Sequence, residues 1–431
     1  MISLFTMKML QKELLISSKI VKKIILFCLG MVLIFCPFSK KGTLFFLKSA
    51  VILWFFSILY CYFLKKEKII LPSLWKLLSL FFVGVFISLF FSTDFYYSQK
   101  LFFYRFSLFL ILPFVCAFCI NKMKDIKFLF FSLLIGVSIV GIDVLFQYFT
   151  GFDFINKYKV AKEIAGNSSV ALLGPFGWYT QLGAYAAAVS VMLACFLVFS
   201  KQNIYCKILI VVLLLLSFFS LIFSLARGAW GAFAMSFFII FFLIAWFNKK
   251  FRNKKVLMNF LFFIFIIFFA FLLAYNLSSG VRKRIDTFFE GNAFLGGRDV
   301  IWEESISLII THPLFGVGLY RAPFVTSFKG DAHNAYLNIF LETGIVGFIP
   351  FILIVFIYLR KMSLFLINIR DIDRNIYILS FFFICLTFFI NDLKEATING
   401  GWDLGIFFWA SLGISLRGLD LSLKGDYGKK D

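Results

Sequence analysis

Asp331–Gly347 reads DAHNAYLNIFLETGIVG, and here the longest polar segment of the chain turns back into apolar sequence. One of only two histidines, His333, stands in it beside Asn334. After nine intervening residues comes Gly344, and then Gly347. Upstream in the same polar segment are Arg284, Arg298 and Arg321, and further back Arg227 lies in SLARGAW.

The sequence on either side of this stretch is mostly apolar. Of 431 residues, 62% are hydrophobic and 21% aromatic, with 66 phenylalanines. No soluble domain buries that much apolar surface. Charged residues make up only 15% and fall in short clusters between runs of membrane-spanning length. The chain therefore reads as an all-α integral membrane protein with many spans. The formal charge of +21 does not indicate nucleic-acid binding. The basic residues sit at alternate ends of apolar segments, so they report topology.

Lys8, Lys12, Lys19, Lys22 and Lys23 precede the first apolar run, which starts at Ile24. No small-residue cleavage site follows, so this run is expected to be a membrane helix and not a removed signal. Further spans are expected near 43–64, 75–92, 101–120, 128–149, 177–199, 207–225, 229–247, 256–275, 344–360, 375–391 and 404–417, about twelve in all. The chain divides into helices over 1–275, a large partly helical loop over 276–343, and helices with a short charged tail over 344–431. With both termini cytoplasmic, inner segments hold about 27 Lys and Arg and outer segments about 14. Roughly six of the outer ones lie in the long loop, where the rule is weak.

Two outer segments exceed a turn. The first, 150–176, is expected to carry a short helix around Lys157 to Ala165. In the second, Gly296-Gly297 precede an amphipathic helix from Arg298 to Ile310. Ile301, Ile306, Leu308 and Ile309 form its apolar side, and Glu303 and Glu304 face water. His312-Pro313 ends it. Asp331 or Asn334 is placed to cap the helix that follows.

The eight cysteines lie mostly in apolar runs. Cys116 and Cys119 have CxxC spacing inside an expected span, which fits packing better than metal or redox chemistry. Two histidines are too few for a typical histidine metal site, and no phosphate loop or nucleophile elbow is present. Arginine use is more informative, because 32 lysines against 11 arginines make lysine the default cation. Yet the long loop holds Arg282, Arg284, Arg298 and Arg321. A guanidinium fork grips phosphate oxygens in two places, which lysine does not. Arg282 and Arg284 fit headgroup anchors equally well. Arg227 lies between two apolar runs, where a charge needs a partner or a wet cavity. Arg105 falls within a span. His333 can exchange a proton near neutral pH, and Asn334 can hydrogen-bond a sugar or the backbone.

His333-Asn334 with Gly344 and Gly347 at this spacing resembles the signature of O-antigen ligases. SLARGAW (224–230), GGRDVIWEES (296–305), HPLFGVG (312–318) and LGPFGWYTQLGAYAA (173–187) resemble other blocks of the O-antigen ligase and polymerase superfamily. The resemblance covers about 173–350. It implies a GT-C-like bacterial inner-membrane glycosyltransferase with its active site facing the periplasm. A ligase moves polysaccharide from undecaprenyl diphosphate to a sugar of lipid A–core, inverting the sugar, with no metal or other cofactor. The partners it implies are that donor, that acceptor and membrane lipids, and no nucleic acid. By the same resemblance Arg227 and Arg298 hold the donor diphosphate, Arg321 is a further candidate, and His333 is the catalytic residue. Asp331, Asn334 and Arg105 are auxiliary candidates, Asp331 as an alternative base. A repeat-unit polymerase or a protein O-oligosaccharyltransferase is the main alternative. A transporter of lipid-linked sugar would spread cations along the membrane midplane, whereas here they cluster at one edge.

The charge asymmetry generates a topology test. A reporter active only in the periplasm is expected to be active when fused near Lys329 and silent when fused after Lys250. The opposite pattern would reverse the orientation.

Overall fold

The computed structural model describes residues 2–61, 70–160, 170–247, 254–289, 298–369, 371–398 and 402–427. Among these the regular structure is helical, with a single isolated antiparallel bridge between Phe152 and Lys159. The first helices are α1 (Ile2–Phe35), α2 (Lys40–Tyr60), α3 (Trp75–Ser88), α4 (Phe95–Leu101), α5 (Ser107–Cys119) and α6 (Met123–Thr150). Then come α7 (Tyr179–Phe199), α8 (Ile204–Phe223), α9 (Arg227–Phe242), α10 (Lys254–Leu277) and α11 (Ser279–Phe289). The last are α12 (Arg298–Thr311), α13 (Ala322–Val325), α14 (Ala335–Asn368), α15 (Ile372–Asn391) and α16 (Trp402–Tyr427).

Eight helices are long and apolar enough to cross a membrane, or nine if the bent pair 264–277 and 279–287 counts as one span. Trp75–Phe91 and Arg227–Phe242 are shorter apolar helices. The chain is a multi-pass membrane protein. Each expected span coincides with a helix, although the length test among the described residues does not reach twelve. Polar caps fix several starts: Ser39, Asp94, Asn203 and Asp371 each accept a first-turn amide through the side chain.

The centre of the molecule is built from α7, α15 and α16, which are buried over most of their length. The GAYAAAVSVMLA run of α7 supplies small side chains, so neighbouring backbones approach closely. A Cβ on Gly183 would lie 2.6 Å from the Ala226 Cβ. Around this centre α3 packs on α14, α5 on α16, and α8 on α7. The outer faces of α2 and α10 leave Phe45, Phe56, Phe265 and Phe268 more than half exposed, as lipid-facing side chains should be.

Two local expectations are corrected. The helix expected around Lys157 to Ala165 does not begin at Lys157: residues 157–160 are non-helical, and 161–165 lie outside the described residues. The Asp153 carboxylate accepts the amides of Asn156 and Tyr158. Local side-chain bonds of that kind compete with a helix for the same donors. In α12, Ile306 is 48% exposed, not part of a buried apolar side. Ile309 is buried as expected, Ser305 is buried with it, and the Trp302 indole sets the docking face by donating to the Ala332 carbonyl at 2.9 Å. Glu304 does not simply face water: its carboxylate accepts from the Ser327 amide and hydroxyl at 2.7 Å each. Gly296 and Gly297 lie outside the described residues.

α14 is two helices joined at Gly344, whose φ is 60° and ψ −166°. The break frees backbone groups, and the HPLFGVG segment takes them up. Val317 and Gly318 amides donate to the Leu341 and Glu342 carbonyls at 2.9 and 3.0 Å. Ile345 and Val346 amides donate to the Pro313 and Leu314 carbonyls at 2.9 and 3.3 Å. The two backbones pass so closely that a Cβ on Gly344 would sit 2.3 Å from the Leu314 carbonyl, and one on Gly316 would sit 2.5 Å from that of Glu342. Gly344→Ala is therefore expected to destabilise the folded protein by about 1–3 kcal/mol. Thermal unfolding in detergent checks this. Gly231→Ala is the control, since its added Cβ meets nothing within 4 Å and should leave the transition in place.

Candidate functional site

Three pieces of chain meet at the start of α14. Asn334 caps the helix by accepting the Leu337 amide at 3.0 Å, as expected for that residue. The Ala335 amide donates to the carbonyls of Asp392 and Glu395 at 2.9 and 3.0 Å. Asn334 Nδ2 donates to the Leu393 carbonyl at 3.2 Å, and the Tyr336 hydroxyl to that of Phe389 at 2.9 Å. Segment 392–398 is thus docked on the α14 N-terminus, with α12 on its other side through Trp302. Asp392, fully buried, shapes that segment from within. Its carboxylate accepts from the Ile398 amide at 2.8 Å, the Thr397 amide at 3.3 Å and the Thr397 hydroxyl. Burial raises its pKa to about 7 against those bonds.

This docking assembles the charges. His333 is 45% exposed in its side chain, and its Nδ1 lies 3.5 Å from Asp331 Oδ1 and 3.7 Å from Glu395 Oε2. The other oxygen of Glu395 accepts from Arg298 Nη2 at 2.7 Å. One carboxylate therefore bridges an arginine and the histidine. The Glu395 carboxylate raises the His333 pKa above its usual 6.5, outweighing burial, which lowers it, and Asp331 adds to the rise. Burial raises the Asp331 pKa, with His333 opposing. His333 also has a φ of 45°, in the left-handed region, held by its amide donating to Asp331 Oδ1 at 2.9 Å. With Nδ1 turned to two acids, the imidazole is fixed in orientation, and a proton taken at Nε2 would be stabilised. Among the described residues no three His, Cys, Asp or Glu side chains are grouped to hold a metal ion.

Arg227, the first residue of α9, lies within electrostatic reach of Arg298 and Arg284. Its Nη1 and the Nε of Arg284 are buried without a hydrogen-bond partner among the described residues. Arg282 differs from its neighbour: it donates to the carbonyls of Tyr275 and Asn276, closing the end of α10. Arg298, Arg227, His333, Asp331 and Asn334 are thus brought to one region. Arg321 has other partners. It donates to Thr93 at 3.0 Å, pairs with Asp94 at 3.5 Å and lies over the rings of Tyr97 and Phe324. Arg105, in a π-helical turn, lies over Tyr320 at 4.8 Å and within electrostatic reach of Glu342 and Asp403. His312 ends α12 in solvent, as expected.

Sequence reading missed Glu395 and its neighbour Lys394. Their only signal was an adjacent cation and anion in the short link between two apolar runs.

The O-antigen ligase family model matches residues 210–352. Over these residues the chain is similar to the O-antigen ligase family. That span contains Arg227, Arg284, Arg298, Arg321 and His333. The family includes the ligases and polymerases resembled by the sequence motifs, and it does not separate the two. An uncharacterized protein of Haemophilus influenzae is 31% identical over 153 residues, which is 30% of this chain and 37% of that relative.

With two histidines in the chain, imidazole NMR can follow His333 once His312→Gln assigns the other signal. His333 is expected to titrate above 6.5, and Glu395→Gln should move its midpoint downward. Equal midpoints in both proteins would show that Glu395 does not act on the ring.

Proposed function

We propose that this protein is an O-antigen ligase of the bacterial inner membrane. In this reading it transfers polysaccharide from undecaprenyl diphosphate to a sugar hydroxyl of lipid A–core at the periplasmic face, in lipopolysaccharide biosynthesis. Both termini are cytoplasmic, and the 276–343 segment faces the periplasm. The observation that carries the reading is the Arg298–Glu395–His333 array standing beside Arg227, with Arg227, Arg298 and His333 inside the matched residues 210–352.

The chemistry follows from where charge moves. The bond from the sugar anomeric carbon to the phosphate oxygen breaks, and its electron pair goes to the diphosphate. Arg227 and Arg298 stabilise that growing charge more in the transition state than in the ground state. The acceptor oxygen forms the new bond from the opposite face, which inverts the anomeric centre. Its proton goes to Nε2 of His333, and the resulting imidazolium is held by Glu395 and Asp331. The reaction needs no metal in this scheme, because guanidinium groups supply the positive charge. Exposed apolar helix faces would accompany the polyprenyl chain.

Purified protein assayed with lipid-linked donor and core acceptor tests this. His333→Ala should lower turnover roughly 10²–10⁴-fold with donor binding retained. Arg227→Ala and Arg298→Ala should each cost on the order of 10²–10³. Wild-type turnover should fall as pH drops through the raised His333 pKa, above 6.5, because only neutral imidazole accepts a proton. Normal turnover by folded His333→Ala protein would remove the histidine from the mechanism. A deletion strain that keeps polymer on its lipid carrier but lacks it on core indicates a ligase. One that carries a single repeat on core indicates a polymerase.

A further inference from the structure

Segment 392–398 presents two adjacent residues of opposite charge. Glu395 faces Arg298 and His333, as described above. Lys394 lies on the other side, toward α9. A Cβ added to Gly228 would be 3.6 Å from the Lys394 Cβ, so the lysine stem packs against the residue that follows Arg227. Lys394, Arg298 and Arg227 are within electrostatic reach of one another, and Arg284 is within reach of Arg227. Four cations therefore gather from α9, α11, α12 and the 392–398 segment. Glu395 pairs with Arg298 and is shared with His333.

Such a gathering repels itself. Burial lowers the Lys394 pKa, and the charges of Arg298 and Arg227 lower it further. Folding has also left guanidinium nitrogens of Arg227 and Arg284 buried without a protein acceptor among the described residues. A buried donor without an acceptor is costly, and a buried charge more so. The α9 N-terminus adds positive potential at the same place, with no side-chain cap to consume it. An anion carrying several charges and oxygens removes each of these costs at once. A diphosphate has that chemistry, and a single carboxylate does not.

We infer that Lys394 and Arg284 are anion-binding residues that complete, with Arg227 and Arg298, a four-cation site for the diphosphate of a lipid-linked donor. This rests on the transferase reading above and adds two residues to its donor site. Arg321 is instead committed to Thr93 and Asp94.

The test measures binding of farnesyl diphosphate to the full chain in detergent by calorimetry. Lys394→Gln and Arg284→Gln are each expected to weaken binding on the order of tenfold. Lys394→Arg should retain most of the affinity, which separates charge from fold. Arg321→Gln should leave it unchanged. If Arg227→Gln weakens binding while Lys394→Gln and Arg284→Gln do not, the four-cation site is wrong and the donor reading stands. If the wild type does not bind the probe, or Arg227→Gln has no effect, the donor reading fails and takes the inference with it. A bilayer headgroup is the other source of phosphate. If phosphatidylglycerol nanodiscs abolish probe binding and lipid retention depends on Lys394, the site belongs to a headgroup and the inference is overturned.

Discussion

The site depends on the buried carboxylate of Asp392. It gathers the Thr397 and Ile398 amides and the Thr397 hydroxyl, so 392–398 closes into a compact turn. The carbonyls left pointing outward, of Asp392 and Glu395, then receive the Ala335 amide. This ties α15 to the first residue of α14. Without it, Glu395 would have no reason to stand between Arg298 and His333, and Lys394 none to stand against Gly228. The reacting groups are held by backbone bonds at the ends of buried helices, which is more exact than holding them on long side chains.

A second constraint is the break at Gly344. A span that continued straight through this point would leave the HPLFGVG segment without its backbone partners. The break turns Ala335–Thr343 into a short separate helix that carries His333 and Asn334 at its tip. Both glycine positions that the sequence motif marks, Gly344 and Gly347, stand where side chains would collide with neighbouring atoms. The motif is therefore a packing rule as well as a functional one. It brings polar residues to the edge of the membrane-spanning bundle without exposing orphaned carbonyls.

Much of this was legible in the sequence. Hydropathy located the helices, because in lipid a spanning segment must satisfy its own backbone. Asn334 was recognisable as a cap and Arg227 as a charge in a place where charge is costly, while Arg298 and His333 stood out through the motifs that resemble the family. What was hidden came from tertiary pairing. Glu395 is a common residue in a ten-residue link, and nothing local shows that it bridges two others 62 and 97 positions away. Arg282 and Arg284 looked alike, yet one closes a helix end and the other turns inward, a difference set by the bend after α10. No helix starts at Lys157, where Asp153 accepts the Asn156 and Tyr158 amides, which periodicity does not register.

The bridging carboxylate also bears on the order of events. Glu395 is held more tightly by Arg298 than by His333: its Oε1 lies 2.7 Å from the arginine and its Oε2 3.7 Å from the imidazole. Arg298 holds it through Oε1. An anion arriving at Arg298 competes for the same guanidinium and weakens that hold. The carboxylate is then freer to move the remaining distance to Nδ1 of His333. A closer carboxylate makes the imidazole a stronger base, since it favours the protonated form. In the proposed reaction, donor binding and base strength would thus be linked through one side chain. The acceptor hydroxyl would then be activated when a donor is bound.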